Sequence, residues 1–284
     1  MTAGPVETDE DEESIFARSS FYAEFVPREE QAAVVDSIYI LRDRGRLTGS
    51  RMSFASPLRE LAFIFREDAP SGKVVFNGPS LDHRRKARVF FGWIVGVKLK
   101  PTCPGAPSVA DAAIVACRDA LDRIIQEGAS WSDILDLVDR TLVELSLQAG
   151  QGSIAGDAPL EPSQGRVSDL AVQVGSSVRT LQRRVRTWTG CPPKRFLAAQ
   201  RFRRSLYEIA AGSEGLSAIA SDLGFSDQAH LTREFRRHAG VTPGAFRRAW
   251  CRPRAQAVRF LQDPRRSTRL MMAVWPLGTT TEAG

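Results

Sequence analysis

The stretch SSVRTLQRRVRTWTG (176–190) holds four arginines and no acid. Arg179, Gln182, Arg183 and Arg186 follow i, i+3, i+4, i+7, the spacing that gathers side chains on one face of a helix. A guanidinium is always charged and offers its N–H groups as a rigid fork, so this row suits phosphate oxygens or the O6/N7 edge of guanine. The Gln182 amide matches the N6/N7 edge of adenine. Val178, Leu181, Val185 and Trp188 form the apolar stripe of the same helix, Ser177 stands where a cap belongs, and Gly190 follows its end. An arginine-rich helix met alone is most simply a solvated surface; here its surroundings supply a partner.

The first of those surroundings is an internal repeat. LQRRVRTWTGCPPKRF (181–196) aligns with LTREFRRHAGVTPGAF (231–246) at an offset of 50. Leu181 meets Leu231, Arg183 meets Arg233, Gly190 meets Gly240, and Pro193 meets Pro243. Upstream, DLAVQVGSS (169–177) aligns with AIASDLGFS (218–226) at an offset of 49, so the slip of one residue falls in a turn, where insertions are tolerated. Each copy predicts a short helix, a Gly-containing turn and a second helix. The first helix packs through Leu170, Ala171 and Val174, or through Ile219, Ala220 and Leu223. The small Ala lets the two helices approach closely. Between the copies, PPKRFLAAQRFRRSLYEIAAG predicts a helix entered by Pro and ended at Gly212. At about 1.5 Å per residue it is about 28 Å long. Such a rod suits two helices seated in successive DNA major grooves, about 34 Å apart.

Charge points the same way. Residues 166–254 hold 17 Lys and Arg against 6 Asp and Glu, a balance of +11 within a chain of net +6, so the remainder stands at −5. A basic part joined to an acidic remainder implies a polyanionic partner for the basic part. The first fifteen residues carry six acids, where a signal peptide would be basic and then apolar, and no apolar run reaches the length of a membrane span. We therefore expect a cytoplasmic protein with no membrane contact. Cys103, Cys117, Cys191 and Cys251 form no CxxC pair, and with only three histidines in the chain neither a disulfide framework nor a metal site is expected.

The domain plan follows from composition. Residues 1–18 read as a disordered acidic tail. Residues 19–150 read as a β-rich sensory or dimerisation domain with two C-terminal helices. RELAFIFRE, GKVVFNGPS and ARVFFGWIVGVKLKP are its strand-type runs. The helices are SVADAAIVACRDALDRIIQEG and SWSDILDLVDRTLVELSLQAG, each opening on a Ser cap. Residues 151–165, rich in Gly, Pro and Ser, read as a linker loose enough that the halves need not fold as one unit. Residues 166–252 form the paired helix-turn-helix part, and 253–284 a tail with the apolar patch LMMAVWPL. The fold class expected is α+β, a small β-rich domain with two following helices and then an all-α domain. Tyr39, Phe63, Phe65, Phe76 and Trp93 are core candidates that would otherwise line an effector pocket. Ile134, Leu137, Val138, Leu142 and Leu145 form a stripe that either packs on the strands or joins two protomers.

LAVQVGSSVRTLQRRVRTWTGCPPKRF, SAIASDLGFSDQAHLTREFRRHAGVTPGAFR and the helix between them resemble the DNA-binding module of AraC/XylS-type transcription regulators, over about 166–250. The resemblance places Arg179, Gln182, Arg183 and Arg186 on the first reading helix, and Gln228, Ala229, Thr232 and Arg233 on the second. Ala229 offers no hydrogen bond, so base reading there falls to Gln228, His230 and Arg233. Arg179 stands where an aromatic or small polar residue is common, and its charge favours phosphate. Before it, FNGPSLDHRRKARVFFGWIVGVKLKP is similar to small cupin-like regulatory domains, which implies a β-roll; the histidines of metal-dependent cupins are missing, since only His83 lies in this region.

The reading is a sequence-specific DNA-binding transcription regulator, not an enzyme, that enters two successive major grooves. Arg236 is placed with the DNA-contacting set. Lys194, Arg195 and Arg237 are assigned to phosphates, as are the helix starts at Ser177, Ser226 and Thr242, which are caps first. Trp188, Phe196, Phe235 and Phe246 are core, and His238, which replaces Trp188 in the repeat, is a half-buried packing residue. The partners are double-stranded promoter or operator DNA, with room for a small-molecule effector, a second copy of the chain and, for an activator, RNA polymerase; no cofactor is called for. The alternative is the same module in a nucleoid or repair protein. A repair alkyl acceptor would need a Cys-rich metal site and a PCHR-like acceptor, and neither is present.

Overall fold

A computed structural model describes residues 21–44, 51–53, 55–82, 84–86, 91–100, 108–149, 167–173, 175–212, 214–250 and 268–273. The acidic tail 1–18, the linker 151–165, His83 and most of the tail 253–284 lie outside the described residues.

The front part is built on strands β1 (Phe21–Phe25), β2 (Val35–Arg44), β3 (Arg51–Ser53), β4 (Arg59–Arg66), β5 (Lys73–Asn77), β6 (Arg84–Lys86) and β7 (Phe91–Leu99). A last strand, β8 (Thr268–Ala273), comes from the C-terminal tail. Among the described residues they make one open sheet in the order β5-β4-β7-β2-β1-β8, antiparallel throughout, with β3 and β6 as a separate two-stranded ribbon. The expected β-roll is thus realised here as a sheet plus a ribbon. Two of its strands, FYAEF and VDSIYILRDR, and the tail strand TRLMMA had no counterpart among the strand-type runs singled out above.

Alternation explains the sheet. Ala23 and Phe25, Ile38 and Ile40, Leu61, Phe63 and Phe65, and Trp93, Val95, Val97 and Leu99 share one core. That core is closed by helices α1 (Ala112–Gln126) and α2 (Trp131–Ala149), through Ile114, Cys117, Leu121, Ile134, Leu135, Val138 and Leu142. The aromatic core candidates pack as core: Phe63, Phe65 and Trp93 are buried, and Phe76 packs against them. Tyr39 is buried away from that cluster, stacked on Tyr22. The stripe on 131–149 is likewise spent on the chain's own sheet. Ile134, Val138 and Leu142 lie in the core and Leu137 and Leu145 pack on it, the first of the two uses open to the stripe. Ser108 does not cap α1; Asp111 does, accepting from the Ala113 amide at 2.9 Å. The Ser130 cap of α2 stands, its hydroxyl accepting from the Asp133 amide.

The C-terminal part comprises α3 (Val167–Gln173), α4 (Val178–Thr189), α5 (Pro193–Ala211), α6 (Leu216–Asp222), α7 (Gln228–Ala239) and α8 (Pro243–Trp250). The repeat seen in the sequence is a repeat of hydrogen bonds. Gly175 N–H donates to Val172 and Ser176 N–H to Ala171; 49 residues on, Gly224 donates to Ser221 and Phe225 to Ala220. Both turn glycines have positive φ, 60° and 71°, as do the caps Gly190 and Gly240, at 69° and 75°. Such φ values strain any residue bearing a Cβ, and each ends a helix.

Each unit has its own core. Leu170, Ala171, Leu181, Val185, Cys191, Phe196 and Leu197 form the first. Phe202, Leu206, Ile209, Ile219, Ala220, Leu223, Phe225, Leu231, Phe235, Ala239 and Phe246 form the second. Leu181 and Val185 are buried as their stripe predicts, but Val178 is 41% exposed. The side chains of Val174 and Trp188 lie outside the described residues.

The two halves are not separate bodies. Ala55 and Tyr22 join the second unit's core, and Leu81 packs on the first unit's.

Candidate nucleic-acid interface

The second helix of each unit carries its polar face outward. On α4, Arg179, Gln182, Arg183 and Arg186 are all exposed, opposite the buried Leu181 and Val185. On α7, Gln228, Ala229, Arg233 and Arg236 are exposed, and His230 and Thr232 are half-buried, opposite Leu231 and Phe235. The 3.6-residue period therefore gives the same division in both copies.

Local bonds set what these side chains can offer. Ser177 Oγ accepts from the Thr180 amide at 3.1 Å, capping α4 as expected. Ser226 is not the matching cap. The carboxylate of Asp227 accepts from the His230 amide at 2.6 Å and caps α7, and that bond holds its pKa below the usual range. The departure comes from the slip of one residue in the turn, which shifts the cap position by one. Ser226 instead lies beside His230, its amide donating to Nδ1 at 3.3 Å, while Phe225 meets the imidazole edge-on. With Nδ1 accepting, His230 can present Nε2–H alone. Thr232 donates its hydroxyl to the Gln228 carbonyl within the helix. Ser217 donates to Gln228 Oε1 at 2.7 Å, which leaves the amide nitrogen of Gln228 to face outward. Thr242 caps α8, accepting from the Ala245 amide at 3.2 Å.

Lys194, Arg195 and Arg237 are exposed. Two of them already have a partner in the front part: Arg195 Nη2 lies 2.9 Å from Asp82, and Arg237 Nε lies 3.9 Å from the same carboxylate. Other arginines of the basic part are structural. Arg201 donates to the Gly224 carbonyl and covers Phe225, and Arg247 donates to the Glu214 carbonyl. His238 is fully rather than half-buried, at 3% exposure. It stacks on Phe202, and its Nδ1 donates to the Leu81 carbonyl at 2.8 Å. Burial holds its pKa below the ordinary imidazole value, so it is neutral at neutral pH.

The sequence reading did not find the polar cluster on the sheet face turned to α5. Glu24, 1% exposed, accepts from Ser37 Oγ (2.6 Å), Tyr22 Oη (2.8 Å), Lys98 Nζ (2.9 Å), Tyr207 Oη (2.8 Å) and Arg203 (3.2 Å). Arg203, on α5, also forms a two-pronged pair with Asp36. Burial alone would raise the pKa of Glu24; Lys98, Arg203 and the Ser37 bond outweigh it and hold the carboxyl well below its usual range. Burial also pushes the Tyr207 and Tyr22 hydroxyls up, and the adjacent Glu24 carboxylate adds to both, so they are neutral donors. The one available sequence signal was Gly96 inside a strand: a Cβ there would lie 2.2 Å from the Tyr39 ring, which covers it.

Residues 170–249 match the family described as a helix-turn-helix domain. The C-terminal module is an AraC-type helix-turn-helix domain. The chain is 37% identical over 83 residues to the HTH-type transcriptional regulator RipA of Corynebacterium glutamicum, covering 29% of this chain and 25% of that one. It is 32% identical over 79 residues to the HTH-type transcriptional activator RhaS of Klebsiella pneumoniae, covering 28% of each. The chain thus spans about a quarter of the length of the relatives it matches. Among solved structures, the DNA-binding domain of AdpA in complex with a target DNA is 29% identical, covering 40% of this chain and 96% of that one, at a TM-score of 0.31. ToxT from Vibrio cholerae is 12% identical, covering 80% and 98%, at a TM-score of 0.35.

Among the described residues no helix is long and apolar enough to cross a membrane, and no group of three or more His, Cys, Asp or Glu could hold a metal.

Proposed function

We propose that the protein is a sequence-specific DNA-binding transcription regulator of the cytoplasm. One observation carries the reading: two helix-turn-helix units, alike in turn bonds and glycine caps, each present an exposed cationic face on the second helix. Arg183 and Arg233 read bases, joined by Gln182, Gln228 and His230; Arg186 and Thr232 share those DNA-facing surfaces, Arg179 and Arg236 favour phosphates, and Ala229 makes an apolar contact. Lys194, Arg195 and Arg237 take phosphates, as do the helix starts at Ser177, Thr242 and Asp227's neighbour Ser226. RhaS is named an activator, which supports activation and brings in RNA polymerase as protein partner. The front part works as a regulatory body and not as an enzyme. Its buried Cys117, raised to about 11 by burial, is no nucleophile.

The test is selection from random duplex DNA with the full-length protein. Wild type enriches a site with two parts about one helical turn apart. Arg183→Ala relaxes one part and Arg233→Ala the other, each by about 1–3 kcal/mol if the contact is bidentate. The same motif from wild type and both variants overturns the reading.

A further inference from the structure

The front domain places one carboxylate against both helix-turn-helix units. Asp82 Oδ2 takes Arg195 Nη2 at 2.9 Å, and its Oδ1 lies 3.9 Å from Arg237 Nε. Arg195 stands in the first turn of α5, and Arg237 in the last turn of α7. The two arginines belong to different units and converge on the same group.

Asp82 is held there by anchored backbone. Ser56 and Ser80 exchange amide–carbonyl bonds of 2.6 and 2.8 Å, tying the segment before β4 to the segment after β5. The Ala55 amide donates to the His238 carbonyl at 3.0 Å, and the Leu81 carbonyl accepts from His238 Nδ1 at 2.8 Å. The Leu81 side chain packs on the first unit's core, while Ala55 lies in the second's. The segment pair therefore grips both units, with Asp82 next to the grip.

A carboxylate paired with guanidinium groups, accepting from Arg195 and facing Arg237, occupies the position that a phosphate oxygen takes when arginine meets a nucleic-acid backbone. We propose that Arg195 and Arg237 form a single backbone-phosphate site shared by the two helix-turn-helix units, and that Asp82 of the front domain fills it when DNA is absent. The inference rests on the DNA-binding reading and adds a competitor to it: a phosphate enters as Asp82 leaves. The pair is half-exposed, at 46% and 57%, so its hold is weak and displaceable.

Full-length protein and a fluorescein-labelled duplex carrying the site enriched by wild type decide this by anisotropy across a KCl series. Asp82→Asn tightens binding about three- to fivefold, the worth of an exposed ion pair. Its log–log salt slope steepens by up to about 0.9, because no freed carboxylate takes up a cation on binding. Asp82→Ser behaves alike, with a melting curve matching wild type. In an Arg195→Ala, Arg237→Ala background, Asp82→Asn changes nothing. Wild-type binding that is unchanged or weakened by Asp82→Asn overturns the inference and leaves the DNA reading standing. A tightening that persists without the two arginines also overturns it. No binding by wild type to any duplex overturns both.

Discussion

Glu24 shows how far one buried carboxylate can depend on its neighbours. Five side chains donate to it, one from its own strand, two from other strands and two from α5, and it is nearly inaccessible. Its folded pKa lies below the ordinary 4.5, so its stabilising effect is complete above that pH and declines as pH falls toward the folded value. Thermal unfolding followed from pH 7 to pH 3 should show this decline. Glu24→Gln should be less stable by about 3–5 kcal/mol at neutral pH, since it leaves the buried Lys98 without its carboxylate and Arg203 with Asp36 alone. It should also lose stability less steeply below pH 4.5. A parallel pH profile for the variant would mean other carboxylates carry the effect. At the same scale, Ser177→Ala should cost about 1 kcal/mol as a lost helix cap, while Ser226→Ala, which removes no cap, should leave the melting temperature nearly unchanged.

At the scale of elements, β2 and β7 meet where Tyr39 lies opposite Gly96. The Tyr39 ring occupies the space a side chain at 96 would need, and it stacks on Tyr22, beside Lys98 Nζ at 5.3 Å. Gly96→Ala should therefore destabilise the protein by about 1–3 kcal/mol through overpacking, read as a shift in the denaturation midpoint at constant m. Helix α2 offers a second test. Its Leu142 is buried in the sheet's core, so Leu142→Asp should unfold the front part rather than split a dimer. Lost near-ultraviolet circular dichroism identifies the first outcome. A native spectrum with a smaller sedimentation coefficient would restore the dimer face.

At the scale of the whole molecule, α5 has two duties. It joins the two helix-turn-helix units, and its Arg203 and Tyr207 dock them on the front sheet through Glu24 and Asp36. Strand β8 adds to the joint, since the tail returns from α8 to pair with β1 of the front sheet. Arg203→Ala leaves two buried carboxylates short of a cation. Calorimetry should then show the single unfolding transition of wild type separating into two, with the front part melting first. A single, unshifted transition would show that the joint contributes little.

The helix-turn-helix pair was legible in the sequence because its signals are local. Glycines at positive φ, prolines at N1 and apolar stripes of period 3.6 act within a few residues of one another, and two copies confirmed each other's register. The strand runs around 59–66, 73–77 and 91–99 were legible for the same reason. Tertiary structure alone decided what the polar residues do. Glu24, Lys98 and Arg203 are far apart in the chain, and no spacing rule joins them; burial brings them together because each charge needs its opposite once water is excluded. Asp82 has no spacing that links it to Arg195 and Arg237; the fold alone sets it against them. The stripe on 131–149 fitted a partner's surface and the chain's own sheet equally well, since amphipathicity says how wide an apolar face is and not what covers it.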